Sequence, residues 1–161
     1  MRPYKLTDEE YGKVLDNVVV GCVDVVVLHK NKILLEQRKV HPIKGEWWIF
    51  GGRILIGEEL NQTAQRSVLR ELGLKAAKDR FINFGTFNLI WPKRREPVET
   101  NGCHHLLIAH MIEIDDDEKQ VVDSFLSKKH LQTKWHDLAE NDYFLKEINS
   151  MINLINTSRK S

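Results

Sequence analysis

The feature that most constrains the fold is a strand, a tight loop and a helix that follow one another over residues 47–74. The run WWIF at residues 47–50 is too apolar for the surface and too short for a helix, so it predicts a buried strand. A helix is predicted over residues 58–72, and Gly73 stands where a left-handed residue would end it. Its apolar face is formed by Leu60, Ala64, Val68 and Leu72. A strand that turns directly into a helix is typical of layered α/β domains.

The rest of the chain predicts further strands, with two or three helices in all. β-Branched residues are dense over residues 18–29, and an apolar run resumes at residues 33–37, which predicts a hairpin with Asn31 in its turn. Strands are also predicted over residues 81–91, 104–114 and 131–135, and helices over residues 7–17 and 143–155. Residues 92–102 are predicted as a loop, 115–118 as an acidic surface turn and 156–161 as frayed. One α/β sandwich domain is expected.

The length and charge of the chain limit its partners. With 161 residues it fits one domain. Its 24 Lys and Arg against 23 Asp and Glu give a formal net charge of +1, which offers no overall attraction to nucleic acid or to an anionic membrane. No segment approaches about 18 continuous apolar residues. Cys22 and Cys103 lie in apolar runs, which favours free thiols in a reducing, cytoplasmic compartment. A small-molecule partner is therefore expected.

The loop and the helix carry groups that suit a metal-bound diphosphate. Gly51 and Gly52 let backbone approach a ligand closely, and a helix N-terminus favours anions. Thr63, Ser67 and Glu71 form a polar stripe on the helix. Mg²⁺ needs only one or two carboxylates beside carbonyl, water and phosphate oxygens, so Glu71 and the loop carbonyls could hold it. The same charges fit a solvated, ion-paired helix face equally well.

The spacing of seven residues in this segment resembles the signature of the Nudix hydrolase superfamily. The matching residues are Gly52, Glu58, Arg66, Val68, Glu71, Gly73 and Leu74. The resemblance implies an α/β/α sandwich with a mixed β-sheet, in a single Nudix hydrolase domain over residues 1–156 followed by a frayed tail at residues 157–161. It also implies hydrolysis of a nucleotide-like diphosphate with a divalent ion, Mg²⁺ first and Mn²⁺ as the second candidate.

Two positions depart from that signature. Ser67 and Arg70 stand where it has glutamates, so the helix keeps only Glu71 of the usual carboxylate cluster. The GDP-mannose mannosyl hydrolases show a similar loss, and the chain also resembles them in the run LEQR at residues 35–38 and in an aromatic strand that ends in GGR at residues 51–53. In that branch water attacks the anomeric carbon of the sugar rather than phosphorus. The resemblance therefore implies Mg²⁺-dependent hydrolysis of a nucleoside-diphosphate sugar similar to GDP-mannose.

The resemblance also implies which residues hold the metal and the diphosphate. The Gly51 carbonyl and the Glu71 carboxylate would be metal ligands. Arg38 and Arg53 would bind the diphosphate, and Arg38 would take part in catalysis by stabilising the leaving group. Each arginine also has an ordinary structural explanation, since Arg38 could pair with a carboxylate at a strand end and Arg53 could cap the loop.

On the sugar side, the resemblance implies His130 as the general base and Asp24 as a substrate contact. A neutral imidazole is a suitable base near pH 7, but a histidine in the polar stretch around residue 130 fits the surface equally well. Lys129 stands where the branch has a glutamine ligand, and a protonated lysine cannot bind Mg²⁺. Leu89 falls where the branch has a histidine that contacts substrate.

Three functions remain open at this point. The first is hydrolysis of a nucleoside-diphosphate sugar at carbon. The second is a Nudix pyrophosphohydrolase that attacks phosphorus, with carboxylates supplied by Glu96 and Glu99 in the 92–102 loop. The third is a degenerate Nudix domain that binds a nucleotide or a protein without hydrolysis. The mannosyl hydrolase resemblance suggests a homodimer, whereas the sequence itself does not indicate the oligomeric state.

Overall fold

The structure is a computed structural model that describes residues 6–140 and 144–159, and its centre is a mixed seven-stranded sheet. The strands are β1 (Val20–His29), β2 (Lys32–Gln37), β3 (Trp47–Trp48), β4 (Phe50–Arg53), β5 (Ile82–Trp91), β6 (Cys103–Glu113) and β7 (Thr133–Asp137). The main order is β3-β2-β1-β6-β5, with β4 paired to β1 and β7 paired to β2. β1 runs parallel to β6 and antiparallel to β2 and β4. The predicted mixed sheet is confirmed.

Helices cover both faces of the sheet. They are α1 (Asp8–Asn17), α2 (Leu60–Leu72), α3 (Asp116–Ser127) and α4 (Lys146–Ser158). On one face, α2 and α3 bury apolar side chains such as Val68 and Val122 against the alternate valines of β1. On the other face, α4 buries Ile148 and Met151 against the opposite side of the same strands. Because successive side chains of a strand point to opposite faces of the sheet, the same strands contribute to both cores. The predicted α/β/α sandwich is confirmed.

The strong helix predicted from the sequence is α2. Ala64, Val68 and Leu72 are fully buried, and Gly73 ends the helix in the left-handed conformation, with φ 68°. Leu60, which we placed on the same apolar face, is 39% exposed because it lies in the first turn, at the edge of the sheet. The predicted hairpin of β1 and β2 is also confirmed, with Asn31 in its turn.

Three predictions about secondary structure are wrong in part. Residues 115–118 are not a surface turn, because Asp115 caps α3 in a capping box with Glu118. The predicted strand at residues 47–50 is divided at Ile49 into β3, which pairs with β2, and β4, which pairs with β1. The last helix continues to Ser158, so residues 156–158 are helical rather than frayed. Tyr143, where we expected this helix to begin, lies outside the described residues.

The loop at residues 92–102 is organised around a buried arginine. Arg94 is only 1% exposed, and its Nη1 donates to Asp16 Oδ1 at 2.7 Å and to the Gly102 carbonyl at 2.9 Å. Its Nη2 donates to the Pro97 carbonyl at 2.9 Å. A buried guanidinium is tolerated only when it is paired and hydrogen-bonded in this way. The basic run at residues 93–95 is therefore not simply solvated, and the loop is pinned to α1.

Among the described residues, no helix combines the length and the apolar character that crossing a membrane would require.

Candidate functional site

A cavity of about 290 Å³ opens on the α4 side of the sheet and gathers most of the predicted site residues. Its lining includes Asp24, Arg38, Gly51, Gly52 and Arg53. These residues come from β1, β4 and the end of β2. Glu71 and His130 are not part of the lining. The structure thus brings together the predicted diphosphate and substrate contacts, and it leaves one predicted metal ligand and the predicted base outside.

Close contact between β1 and β4 forms one end of the cavity. Asp24 lies opposite Gly51 in the antiparallel register. A Cβ atom on Gly51 would lie 2.1 Å from Asp24 Oδ1 and 2.4 Å from the Val23 carbonyl oxygen, so only glycine fits there. Trp48 Nε1 donates to the other carboxylate oxygen of Asp24 at 2.8 Å. Asp24 is thereby fixed beside the glycine backbone.

The chemistry of Asp24 is set by its surroundings. The pKa of Asp24 is raised to about 6, mainly by burial; the hydrogen bond from Trp48 opposes the rise and the negative charge of Glu71 adds to it. Burial also raises the pKa of Glu36 above its usual value, and here too Glu71 adds to the rise while Arg38 lowers it. Three carboxylates therefore surround the Gly51 end of the cavity.

Arg38 supplies positive charge to this end. Its Nη1 donates to Glu36 Oε1 at 3.3 Å, which confirms the pairing with a carboxylate that we considered. The pairing does not exhaust the side chain, because Nε is buried without a hydrogen-bond partner among the described residues. Guanidinium groups present five donors in a fixed fork. Arg38 thus keeps donors for a ligand in the cavity that it lines.

Arg53 lines the cavity and also makes contacts that stabilise the surrounding loop. Its guanidinium lies over the Tyr11 ring, 4.0 Å from the centroid, and its carbonyl accepts a hydrogen bond from Arg66 at 3.0 Å. Arg66 also donates to both oxygens of Glu58, at 2.6 Å and 2.9 Å. Hydrogen bonds from Arg66, Thr63 and the Leu55 amide lower the pKa of Glu58 to about 2. Glu58 and Arg66, both part of the signature, hold the loop on α2.

The opposite end of the cavity contains groups that the sequence only partly indicated. His105 lines it, together with Leu89, Trp91 and Glu96. His104 turns to the other side of β6 and bonds Asn88, so the two neighbouring histidines face opposite sides of the strand. Burial lowers the pKa of His105, the largest of its influences. Its imidazole is therefore neutral near pH 7.

Two tryptophan rings form part of the cavity lining. Trp48 and Trp91 meet edge to face, with 6.0 Å between ring centroids, and both line the cavity. Trp47 points elsewhere, under the Lys134 ammonium at 4.7 Å. Side chains alternate along a strand, so Trp48 faces the cavity and Trp47 does not. Trp91 was not singled out, because it is brought close by strand pairing and not by spacing along the chain.

His130 and Lys129 lie away from the cavity. His130 is exposed, adopts φ 50° and accepts a hydrogen bond through its carbonyl from Lys39 Nζ at 3.0 Å. Lys129 Nζ donates to the Arg70 carbonyl at 3.0 Å and lies over the Phe125 ring. The role of His130 as a base stays a prediction.

The two predicted metal ligands are already bridged by a side chain. Arg70 Nη2 donates to the Gly51 carbonyl at 3.2 Å and forms an ion pair with Glu71 Oε1. Across the described residues, no group of three or more His, Cys, Asp and Glu is arranged to hold a metal ion. Mg²⁺ prefers six oxygen ligands in octahedral geometry, and a guanidinium offers none. The donors as arranged therefore do not fit a divalent ion.

Comparisons with known proteins agree with the fold. A model of the NUDIX domain matches residues 18–154. The low-salt glycan biosynthesis protein Agl8 of Haloferax volcanii is 29% identical over 118 residues, which cover 73% of either chain. The oxidized purine nucleoside triphosphate hydrolase of Danio rerio is 26% identical over 114 residues, 71% of this chain and 64% of that protein. The crystal structure of a MutT NUDIX hydrolase from Burkholderia pseudomallei superimposes with a TM-score of 0.66 at 18% identity, covering 86% and 99% of the two chains.

Replacement of Asp24 by asparagine tests the electrostatics of the cavity. Below pH 3.8 the carboxyl is protonated in the folded and the unfolded chain, whereas between pH 3.8 and about 6 it ionises first in the unfolded chain, so stability falls as the pH rises. Because an asparagine side chain carries no charge at any of these pH values, we expect Asp24→Asn to be more stable than the natural chain above pH 6, by about 2 to 3 kcal/mol.

Urea unfolding over this pH range measures the difference. Asp117→Asn is the control, because Asp117 is exposed on α3. The Asp24→Asn variant and the natural chain should converge at low pH. Equal stability of Asp24→Asn and the natural chain above pH 6 would contradict the account.

Proposed function

The chain belongs to the Nudix family, and from this premise we propose that it hydrolyses a nucleoside-diphosphate sugar, similar to GDP-mannose, at the anomeric carbon. The observation that carries the proposal is the shared cavity, whose lining combines arginines and close glycine backbone with tryptophans and a neutral histidine. A diphosphate needs the first environment, and a base and a sugar need the second.

The diphosphate fits the end formed by Arg38, Arg53 and the two glycines. Guanidinium groups bind phosphate oxygens through paired, charge-assisted hydrogen bonds. Gly51 and Gly52 also line the cavity, and they present backbone rather than side chains to it. As the glycosidic bond breaks, the departing diphosphate gains negative charge, and Arg38 and Arg53 stabilise it.

The sugar then lies towards His105. Arg53 pairs with Cys22, which pairs with Leu107, and Leu107 is two residues from His105 along β6. Two residues of a strand span about 7 Å and two strand spacings about 10 Å, so the Cα atoms of Arg53 and His105 lie roughly 12 Å apart, and a sugar would lie between the two side chains. A water between His105 and the sugar would lose its proton to the imidazole and form a bond to the anomeric carbon. The bond from that carbon to the phosphate oxygen would break, and its electron pair would leave with the nucleoside diphosphate.

The composition of α2 supports attack at carbon. Attack at phosphorus by metal-activated water relies on several carboxylates near the metal. Here Ser67 is fully buried, Arg70 blocks the Gly51 carbonyl, and Glu71 is the single carboxylate left beside it on the helix. A neutral base at the far end of the cavity suits a reaction at the sugar.

The relative from Haloferax volcanii adds independent support for a sugar nucleotide. That protein is named for glycan biosynthesis, and glycans are assembled from activated sugars. Nudix hydrolases generally use divalent metal ions. Mg²⁺ is the ion predicted for this chain and Mn²⁺ the second candidate, so assays are made with each ion and with a chelator.

Attack at phosphorus remains the second candidate because of one cavity residue. Glu96 lines the cavity and Arg95 Nη2 donates to it at 3.1 Å, whereas Glu99 does not line it. One of the two loop carboxylates that we considered is thus placed where a base could act.

Isotope labelling separates these reactions. In ¹⁸O-labelled water, we expect turnover of GDP-mannose or a related sugar nucleotide to place the label in the released sugar, because water attacks carbon. Mass spectrometry of both products measures this. Label in a phosphate would show attack at phosphorus and favour the second candidate. Binding of sugar nucleotides without any turnover would favour a degenerate domain that binds only.

Alanine variants of two histidines identify the base. We expect His105→Ala to lower kcat by about 100-fold or more, because general-base catalysis contributes about that much, and to remove the acid limb of the pH profile. His130→Ala is the matched variant, and we expect it to retain most of the activity because His130 lies outside the cavity lining. The reverse pattern would restore His130 as the base predicted from the sequence.

A further inference from the structure

Arg70 contacts the same two groups that a metal ion was predicted to bind, so its guanidinium would compete with a metal for them. Its Nη2 lies 3.2 Å from the Gly51 carbonyl oxygen and is paired with the Glu71 carboxylate. The same nitrogen would lie 3.3 Å from a Cβ on Gly52, so it covers the backbone of both glycines. The group therefore sits between the two oxygens that the sequence predicted as metal ligands.

The charges around Arg70 favour a permanent cation at this position. Asp24, Glu36 and Glu71 place three carboxylates near Gly51, and the guanidinium groups of Arg38 and Arg70 lie beside them. A guanidinium stays protonated at every physiological pH, and its ion pair with a carboxylate is a strong hydrogen bond. A divalent ion would have to break that pair and the bond to Gly51 before it gained either ligand.

Neighbouring residues hold Arg70 and add no metal ligand. Lys129 Nζ donates to the Arg70 carbonyl at 3.0 Å, so a second cationic group stands beside the helix end. Ser67, one turn earlier, is buried with its hydroxyl unpartnered among the described residues. Within α2, every residue of which is described, Glu71 is the one carboxylate.

Arg70 also keeps donors for a ligand. One terminal nitrogen accounts for both contacts that fix it, and five N–H groups are available on a guanidinium. The side chain is 53% exposed, so the remaining donors are accessible to solvent close to the Gly51 carbonyl that Arg70 contacts. Arg70 does not line the cavity, so a diphosphate bound by Arg38 and Arg53 would reach it past the backbone of Gly51 and Gly52, which do line the cavity.

We propose that Arg70 replaces the divalent ion, so that its guanidinium binds the diphosphate of the substrate directly and binding requires no metal. The proposal rests on the function proposed above, because it concerns the same diphosphate. It replaces the Mg²⁺ ion that we expected from the resemblance with a residue of the chain. The resemblance implied that Gly51 and Glu71 bind a metal ion, and in the structure the guanidinium of Arg70 lies between them.

Calorimetry with GDP as the probe tests the proposal on the full chain. We expect the natural chain to bind GDP with the same affinity in EDTA and in Mg²⁺. Arg70→Gln should weaken binding in EDTA by about tenfold or more, the worth of a charge-assisted hydrogen bond. In Arg70→Gln, added Mg²⁺ should restore part of the affinity, because the Gly51 carbonyl and Glu71 are then free. Arg70→Lys should lose less than Arg70→Gln, since it keeps the charge.

Lys75→Gln is the matched control, because it removes one exposed positive charge just after α2 and should leave binding unchanged. Circular dichroism confirms that each variant is folded. Binding by the natural chain only in Mg²⁺, or unchanged binding by folded Arg70→Gln in EDTA, would overturn the proposal while leaving the proposed function intact. Failure of GDP, UDP and ADP to bind under either condition would overturn both.

Discussion

The antiparallel pairing of β1 with β4 is the constraint on which the site depends. It sets Asp24 against Gly51 so closely that no side chain fits on the glycine. This contact fixes the carboxylate, leaves the glycine carbonyl facing α2 and brings Arg53 to the cavity two residues later. Glu58 and Arg66 then hold the following loop on the helix. One strand pair thereby joins the α2 edge to the cavity on the other face.

The same pairing buries the Asp24 carboxylate, which lowers the stability of the fold when that carboxylate is ionised. Asp24 is held in surroundings that favour its neutral form, and Glu71 adds a like charge. Such an arrangement is typical of functional sites, where groups are placed for chemistry and the rest of the fold compensates. Here the compensation comes from two apolar cores, one on each side of the sheet. The arginines near Gly51 offset part of the remaining negative charge.

Local sequence signals predicted the elements that carry strong patterns of their own. The hairpin at Asn31, the helix that ends at Gly73 and the capping box at Thr7 are each defined by residues a few positions apart. The family resemblance predicted the correct fold. It also implied Asp24, Arg38 and Arg53 as site residues, and all three line one cavity. The helix α3 was missed because its acidic first turn resembles a surface turn, and its cap at Asp115 lies within that turn. Its buried apolar positions, Val122 and Leu126, are too few to form a clear stripe.

The parts of the site that the sequence did not reveal depend on contacts between distant segments. His105 and Trp91 enter the cavity through the pairing of β5 with β6, which no local spacing encodes. Arg70 was conspicuous as a departure from the signature, but its meaning required knowing that its guanidinium reaches back to Gly51 across 19 positions. The sequence showed that a carboxylate was lost, and the structure shows which charge took its place. The positive charge beside the Gly51 carbonyl therefore belongs to the chain, as the guanidinium of Arg70.

Anomalous diffraction from crystals soaked with Mn²⁺ and GDP tests that claim most directly. We expect no anomalous peak within bonding distance of the Gly51 carbonyl and the Glu71 carboxylate, and guanidinium density of Arg70 in contact with both the carbonyl and a phosphate oxygen. A manganese peak bonded to Gly51 and Glu71, with Arg70 turned away, would contradict it.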